Sequence, residues 1–210
     1  MRNNIATGFL AGMLIGIGGV ANLSVDNKIV GAFLFSMGLF YIIRFQLALY
    51  TGKVGYMITK DNHQTFPEVS GALLGNILGT AFISLAMLGT RFGPALTEKA
   101  DAIMQAKLSG SIRDNFALAI LCGFLMYLAV HHGRQCHKEE ATTMVFGTVL
   151  PVMAFMLSGF NHSIADSFYI IISSYCADYW YQTFIYLVTV ILGNAIGAFI
   201  PSAVYSLRKD

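Results

Sequence analysis

His162 stands in the run Ser158-Gly159-Phe160-Asn161-His162-Ser163-Ile164-Ala165-Asp166, with apolar residues 149–157 before it and 169–172 after it. A titratable imidazole is thus set inside a segment long enough to cross a bilayer. At that depth an ionisable group is costly unless it faces a protein interior or a water-filled path, so His162 is the first candidate for a transport site. A second interruption, Phe45-Gln46-Leu47-Ala48-Leu49-Tyr50-Thr51-Gly52-Lys53, follows the apolar stretch that begins at Ile29. Paired broken helices leave backbone amides and carbonyls free to meet a solute, and Thr51 and His162 are expected to face each other at mid-membrane. Gly52 and Gly159 equally suit ordinary helix ends, and a lone His on an apolar helix also suits a packing role with its hydrogen bonds satisfied. A separate cluster, His131, His132, Cys136, His137, Glu139 and Glu140, carries ligand types suited to zinc or another transition metal. Its spacing matches no established ligand pattern, and a solvated polar loop reads the same way.

The elements that must carry these residues are apolar. Of 210 residues, 56% are hydrophobic and 11% charged, against roughly 25% charged in an average soluble domain, which makes this an all-α membrane protein. Six stretches reach about the 20 residues that a spanning helix needs, at 5–23, 29–49, 69–88, 112–130, 142–172 and 180–207. The first is longer than a signal-peptide core and rich in glycine, which suits a packed helix. Connections on the terminal side hold Arg2, Lys53, Lys60, Arg134, Lys138, Arg208 and Lys209, and those on the other side hold Lys28, Arg91, Lys99, Lys107 and Arg113. The bias places both termini in the cytoplasm. A net charge of +2 with no basic run gives no ground for a nucleic-acid partner. Cys122, Cys136 and Cys176 show no disulfide or metal spacing, and no cofactor is expected.

Gly75-Asn76-Ile77-Leu78-Gly79 in the third stretch returns as Gly193-Asn194-Ala195-Ile196-Gly197 in the sixth. Small residues four apart let helices approach closely, and Asn can bond across the contact. Independent packing faces would give the same pattern. Read as a repeat, it divides a single transmembrane domain into halves of about 1–90 and 111–210, each with three spans and therefore inverted relative to the other.

Leu49-Tyr50-Thr51-Gly52, Leu150-Pro151-Val152-Met153-Ala154-Phe155 running into Ser158-Gly159-Phe160-Asn161-His162-Ser163-Ile164-Ala165, and the closing Gly193-Asn194 helix resemble the formate/nitrite transporter family, in order and over nearly the whole chain. The resemblance implies a homopentamer of aquaporin-like protomers, each with six helices, broken second and fifth helices and its own pore. It implies that Thr51 and His162, with Asn161 beside them, face each other at the pore centre. By position it makes Phe35, Leu39, Tyr50 and Phe155 the lining of two apolar constrictions, and Lys107 the cation that attracts anions to the outer vestibule. Three departures stand out. The first apolar run begins at Ile5, so gating by an amphipathic amino-terminal helix is not expected. Asp166 stands where many members carry Asn, and Arg44 lies within the second span, so the two are candidates for a charge pair. Gly123 replaces a polar residue expected in the fourth helix.

The function expected is a proton-linked channel or transporter, not an enzyme, for small monovalent anions of weak acids in the cytoplasmic membrane. A bare carboxylate in a dry constriction faces a large desolvation cost, which is evaded by neutralisation. The anion would gain a proton, or His162 would take one, near the centre. Formate leads only because it is the frequent substrate of the family that the chain resembles; nitrite, hydrosulfide, acetate and lactate stay open, because apolar constrictions discriminate weakly between small isosteres. A membrane-bound metal-binding enzyme and a purely structural membrane subunit are the rival classes.

Overall fold

The computed structural model describes residues 2–60, 62–136 and 141–207, and all regular structure among them is helical. In order, the helices are α1 (Arg2–Leu23), α2 (Lys28–Arg44), α3 (Tyr50–Lys53), α4 (Phe66–Leu88), α5 (Gly93–Leu108), α6 (Ile112–Gln135), α7 (Ala141–Leu157), α8 (Ser163–Ile172), α9 (Ser174–Asp178) and α10 (Trp180–Leu207). A 3₁₀ turn, Val54–Ile58, continues α3. Four helices are long and apolar enough to cross a membrane: α1, α4, α6 and α10. The chain is a membrane protein, and its outer faces are apolar to match. On α4, Leu74, Leu78, Phe82 and Leu85 are each about half exposed, and on α10 Leu192, Ile196, Ile200 and Val204 repeat the stripe every four residues.

The opposite faces of α4 and α10 carry the Gly-Asn-x-x-Gly elements, and two helix pairs form around them, α1 with α4 and α6 with α10. A Cβ on Gly12 of α1 would fall on the Asn76 carbonyl oxygen, and one on Gly123 of α6 would fall on that of Asn194. Only glycine allows either approach, which explains why Gly123 stands where the resemblance led one to expect a polar side chain. Gly79 meets the carbonyl of Phe9 and Gly197 that of Ile120 in the same manner.

Helices α2 and α7 each end in five residues, 45–49 and 158–162, that hold no regular structure. In both, the second residue adopts a left-handed conformation, Gln46 at φ 53° and Gly159 at φ 69°. The strain this imposes on a non-glycine residue is confined to Gln46. The turn then hands over to α3 or α8, and in both cases an asparagine holds it. Asn76 donates from Nδ2 to the carbonyls of Gly8 (2.9 Å) and Ala48 (2.8 Å), while its Oδ1 accepts from the N–H of Tyr50 (2.8 Å). Asn194 donates to the carbonyls of Ala119 (2.8 Å) and Asn161 (2.9 Å) and accepts from the N–H of Ser163 (2.9 Å). Each amide thus takes the first N–H of the short helix and the carbonyl two residues before it. Both asparagines are fully buried, where unpaired backbone groups would be costly, and each supplies three hydrogen bonds to prevent that.

The segment between α4 and α6 differs from the sequence-based expectation of a plain connection. It forms the 16-residue helix α5, whose inner face buries Leu96, Ala100 and Met104 at four-residue spacing. Asp101 fastens this helix to the end of α8. Its carboxylate accepts from the hydroxyls of Ser173 (2.6 Å) and Ser174 (2.6 Å) and from the N–H of Tyr175 (3.0 Å). Partial burial pushes the Asp101 carboxyl upward, but these bonds outweigh it and hold the group below the ordinary carboxylate range. At the far end of α5, Lys107 is brought inward.

Candidate functional site

His162 is the residue before α8 and caps it. Its Nδ1 accepts from the N–H of Ala165 at 3.0 Å, one of the donors that the first turn of a helix leaves free. An acceptor nitrogen carries no hydrogen, so the proton of the neutral ring lies on Nε2. Nε2 lies 3.2 Å from the Thr51 hydroxyl in the first turn of α3. The two interrupted segments therefore meet, and they meet through a ring donor and a hydroxyl. Both residues are fully buried. Formation of the imidazolium would place a second proton on Nδ1, at the expense of the cap.

Around this pair the wall is apolar. Phe155 of α7 stacks on the imidazole with ring centres 5.4 Å apart, and Phe35 of α2 meets Phe155 edge-on at 6.0 Å. Leu39, one turn from Phe35, is buried with them. Tyr50 differs from these three. Its hydroxyl donates to the Ile191 carbonyl on α10 (2.9 Å), and Leu49 instead lines a narrow space beside Gly52 and Val130. That space, about 10 Å³, holds at most about one water. Leu49 occupies in the first half the station that His162 holds in the second, directly ahead of the short helix, and its apolar type gave no signal in the sequence.

Two larger cavities lie at opposite ends of α2. One, about 490 Å³, reaches from Lys28 and Ala32 to Phe155, Asn161 and Asp166. The other, about 770 Å³, is bounded by Arg44, Lys53, Gln64 and Arg134 and shares Ile43, Gln46 and Arg134 with the narrow space. Sixteen residues of helix separate Lys28 from Arg44, about 24 Å. Thr51 and His162 line neither cavity; the stack of Phe155, Phe35 and Leu39 packs beside them.

At the smaller cavity Lys107 reaches into the wall. Its Nζ donates to Asn161 Oδ1 at 2.8 Å and forms a salt bridge with Asp166 Oδ1 at 3.1 Å. The Tyr186 hydroxyl donates to the other Asp166 oxygen at 2.7 Å. Asn161 is held in turn, its Nδ2 donating to Asn115 Oδ1 (3.0 Å) and to the Asn115 carbonyl (3.2 Å). The pairing of Arg44 with Asp166 is corrected: Asp166 pairs with Lys107, and Arg44 lies exposed at the other cavity. The cause is topological, since Arg44 ends α2 at one cavity while α8 enters from the other. Lys107 is no free solvated charge either, its side chain being 16% exposed and its ammonium already paired. Asn115 and Tyr186 escaped sequence reading; a polar residue in the first turn of an apolar helix was the available signal for Asn115.

Of the proposed metal cluster, His137, Glu139 and Glu140 lie outside the described residues. Among the described residues no group of three His, Cys, Asp or Glu side chains is placed to hold a metal. His131 instead stacks on Tyr127 at 5.3 Å and bonds the Tyr56 hydroxyl at 3.0 Å, while His132 bonds the Thr143 carbonyl at 3.1 Å.

Comparison with known proteins gives a consistent result. A family model described as formate/nitrite transporter matches residues 1–207. An uncharacterized transporter, YrhG of Bacillus subtilis, is 26% identical over 92% of this chain and 79% of its own length. The formate channel FocA of Haemophilus influenzae is 27% identical over 85% of this chain and 73% of its own. Among solved structures, a pentameric formate channel with formate bound superposes with a TM-score of 0.79 at 23% identity, covering 99% of this chain and 95% of that one. An ion channel of the same family superposes equally well, with a TM-score of 0.79 at 19% identity.

Proposed function

The chain belongs to the formate/nitrite transporter family, and from that premise we propose that it is a channel for small monovalent anions of weak acids, formate foremost, that cross its waist as the neutral acid. The observation that carries the reading is the Thr51–His162 contact, 3.2 Å long and set between two separate cavities at opposite ends of α2. A solute at this waist meets one fixed donor, His162 Nε2–H, and one hydroxyl, amid Phe35, Leu39, Leu49 and Phe155. An ionised carboxylate gains too little from two hydrogen bonds to offset removal from water, whereas a protonated acid keeps most of its transfer free energy. The Nδ1 cap favours a neutral imidazole, so of the two routes to neutrality, a proton on the solute fits the geometry better than a proton on His162. His162 then acts as a donor to the acid's carbonyl and Thr51 as its partner. Thr51 and His162 line neither cavity, and passage between the cavities calls for movement of the side chains packed beside them.

Counting α2 with α3 and α7 with α8 as broken spans gives six, in two inverted repeats that share the Gly and Asn contacts, with the termini in the cytoplasm of the inner membrane. The pentamer seen in the solved relative suits the apolar outer faces of α4 and α10. The test is uptake of formate, nitrite, acetate, lactate and hydrosulfide by proteoliposomes across pH. The reading expects saturable flux of weak acids that grows on acidification, and no flux of nitrate. Flux that ignores pH, or equal passage of nitrate, would overturn it.

A further inference from the structure

Asp166 places a carboxylate where a carboxylate cargo would bind. Its Oδ1 lies 3.1 Å from Lys107 Nζ, its Oδ2 accepts from Tyr186, and its side chain, 2% exposed, forms part of the wall of the 490 Å³ cavity. Lys107 keeps a second tether to Asn161 Oδ1, so the ammonium stays in place whichever anion occupies it. We infer that Lys107 is an anion site held by an internal competitor: Asp166 fills it when the cavity is empty and yields it to a small monovalent anion on taking up one proton. This deepens the proposed function and rests on its reading of the cavity as a pore mouth.

The proton follows from burial. An incoming anion that takes the ammonium leaves Asp166 with the Tyr186 hydroxyl and the His162 backbone N–H but with no paired cation, and an ionised carboxylate buried without a compensating charge is strongly disfavoured. Protonation removes the charge and keeps the Tyr186 bond. Before and after, the cluster of Lys107, Asp166 and the bound anion is electrically neutral: one anion and one proton have entered together. The other titratable groups near Asp166 are Tyr186 of α10, Tyr169 of α8, Cys122 of α6 and Cys176 of α9, with His162 at the cap of its own helix. Lys28 and Asp114 line the same cavity. None of these besides Lys107 forms an ion pair with Asp166, and the neutral cap role of His162 leaves Asp166 as the group that takes the proton.

Nitrate is the probe, because it stays ionised at every pH of interest and its binding does not depend on transport. Its dissociation constant on the purified protein in detergent, read by the shift in melting temperature between pH 5 and 8, should fall by about tenfold per unit of acidification in the wild type, the slope of one linked proton. Asp166→Asn should bind nitrate at neutral pH about tenfold or more tightly than the wild type and with no pH slope, since one unit of positive charge is released. Asp166→Ser, smaller and uncharged, should behave alike if the first variant folds poorly. Lys107→Gln should lose the binding at all pH values. A flat wild-type profile, an Asp166→Asn profile that keeps its slope, or no gain in affinity in either Asp166 variant would overturn the inference. A wild type that binds nitrate with the expected slope but carries no formate into liposomes would instead sink the channel reading.

Discussion

Replacing His162 separates its two jobs, because each ring nitrogen does one of them. Nδ1 caps α8 through the Ala165 N–H, and Nε2–H faces Thr51. Asn is among the best N-cap residues, so His162→Asn keeps an acceptor for Ala165 while its shorter amide no longer reaches the hydroxyl. Phe offers neither, and His162→Phe should lose the cap, worth about 0.5–2 kcal/mol. For transport, a neutral acid whose carbonyl is left without its donor in a buried site pays about 1–3 kcal/mol. At the crossing point that corresponds to roughly 5- to 140-fold slower flux, at about 1.4 kcal/mol per factor of ten. The assay is formate uptake by proteoliposomes at fixed pH beside the melting temperature of the same preparations in detergent. The expected result is slow flux in both variants, with a lowered melting temperature in His162→Phe alone. Wild-type flux in a stable His162→Asn protein would refute the donor role. Equal destabilisation of the two variants would refute the assignment of the cap.

The remaining predictions concern the scaffold. Asn194→Leu leaves two carbonyls and the Ser163 N–H without their buried partner; at about 0.6 kcal/mol per interhelical bond in a membrane the loss is near 2 kcal/mol, rising to about 3–9 kcal/mol if each orphan costs its full desolvation, and Asn76→Leu should match it in a thermal melt of the detergent-solubilised protein. Gly123→Val places side-chain carbon on the Asn194 carbonyl, so the α6–α10 pair must part and the protein should fail to reach its native oligomer in gel filtration. Asp101, held below the ordinary carboxylate range, contributes stability that is present above its unfolded value near 3.9 and is lost as pH falls through its lower folded value. Hydrogen exchange across α5 should therefore quicken only in that acid window, and Asp101→Asn should quicken it at neutral pH.

Much of this arrangement was legible in the chain because its signals are local. The Gly-Asn-x-x-Gly elements announced close helix contacts, and glycines and polar residues amid apolar runs marked both interruptions. The equivalent places of the two interruptions, with the family resemblance, then paired Thr51 with His162. What stayed hidden depends on which end of a helix a residue occupies or on which way a side chain turns. Arg44 and Asp166 sit in the equivalent second and fifth apolar stretches of the two halves, yet α2 and α8 carry them to opposite cavities. Nothing in the sequence showed that the Tyr50 hydroxyl ties to the Ile191 carbonyl, and Leu49, a plain leucine, carried no hint of its place. The helix α5 was readable from Leu96, Ala100 and Met104, but their modest size and the charges between them made the segment look like a loop.

The clamps made by Asn76 and Asn194 bear on how fast such a pore can work. Each ties a turn at the waist to a neighbouring pair of tightly packed helices, so the aperture cannot widen by sliding a helix without breaking several buried hydrogen bonds. What is left to move is side chains, each passage leaving the helix scaffold as it was. Turnover should accordingly be free of the domain rocking, slow on the microsecond-to-millisecond scale, that paces a carrier.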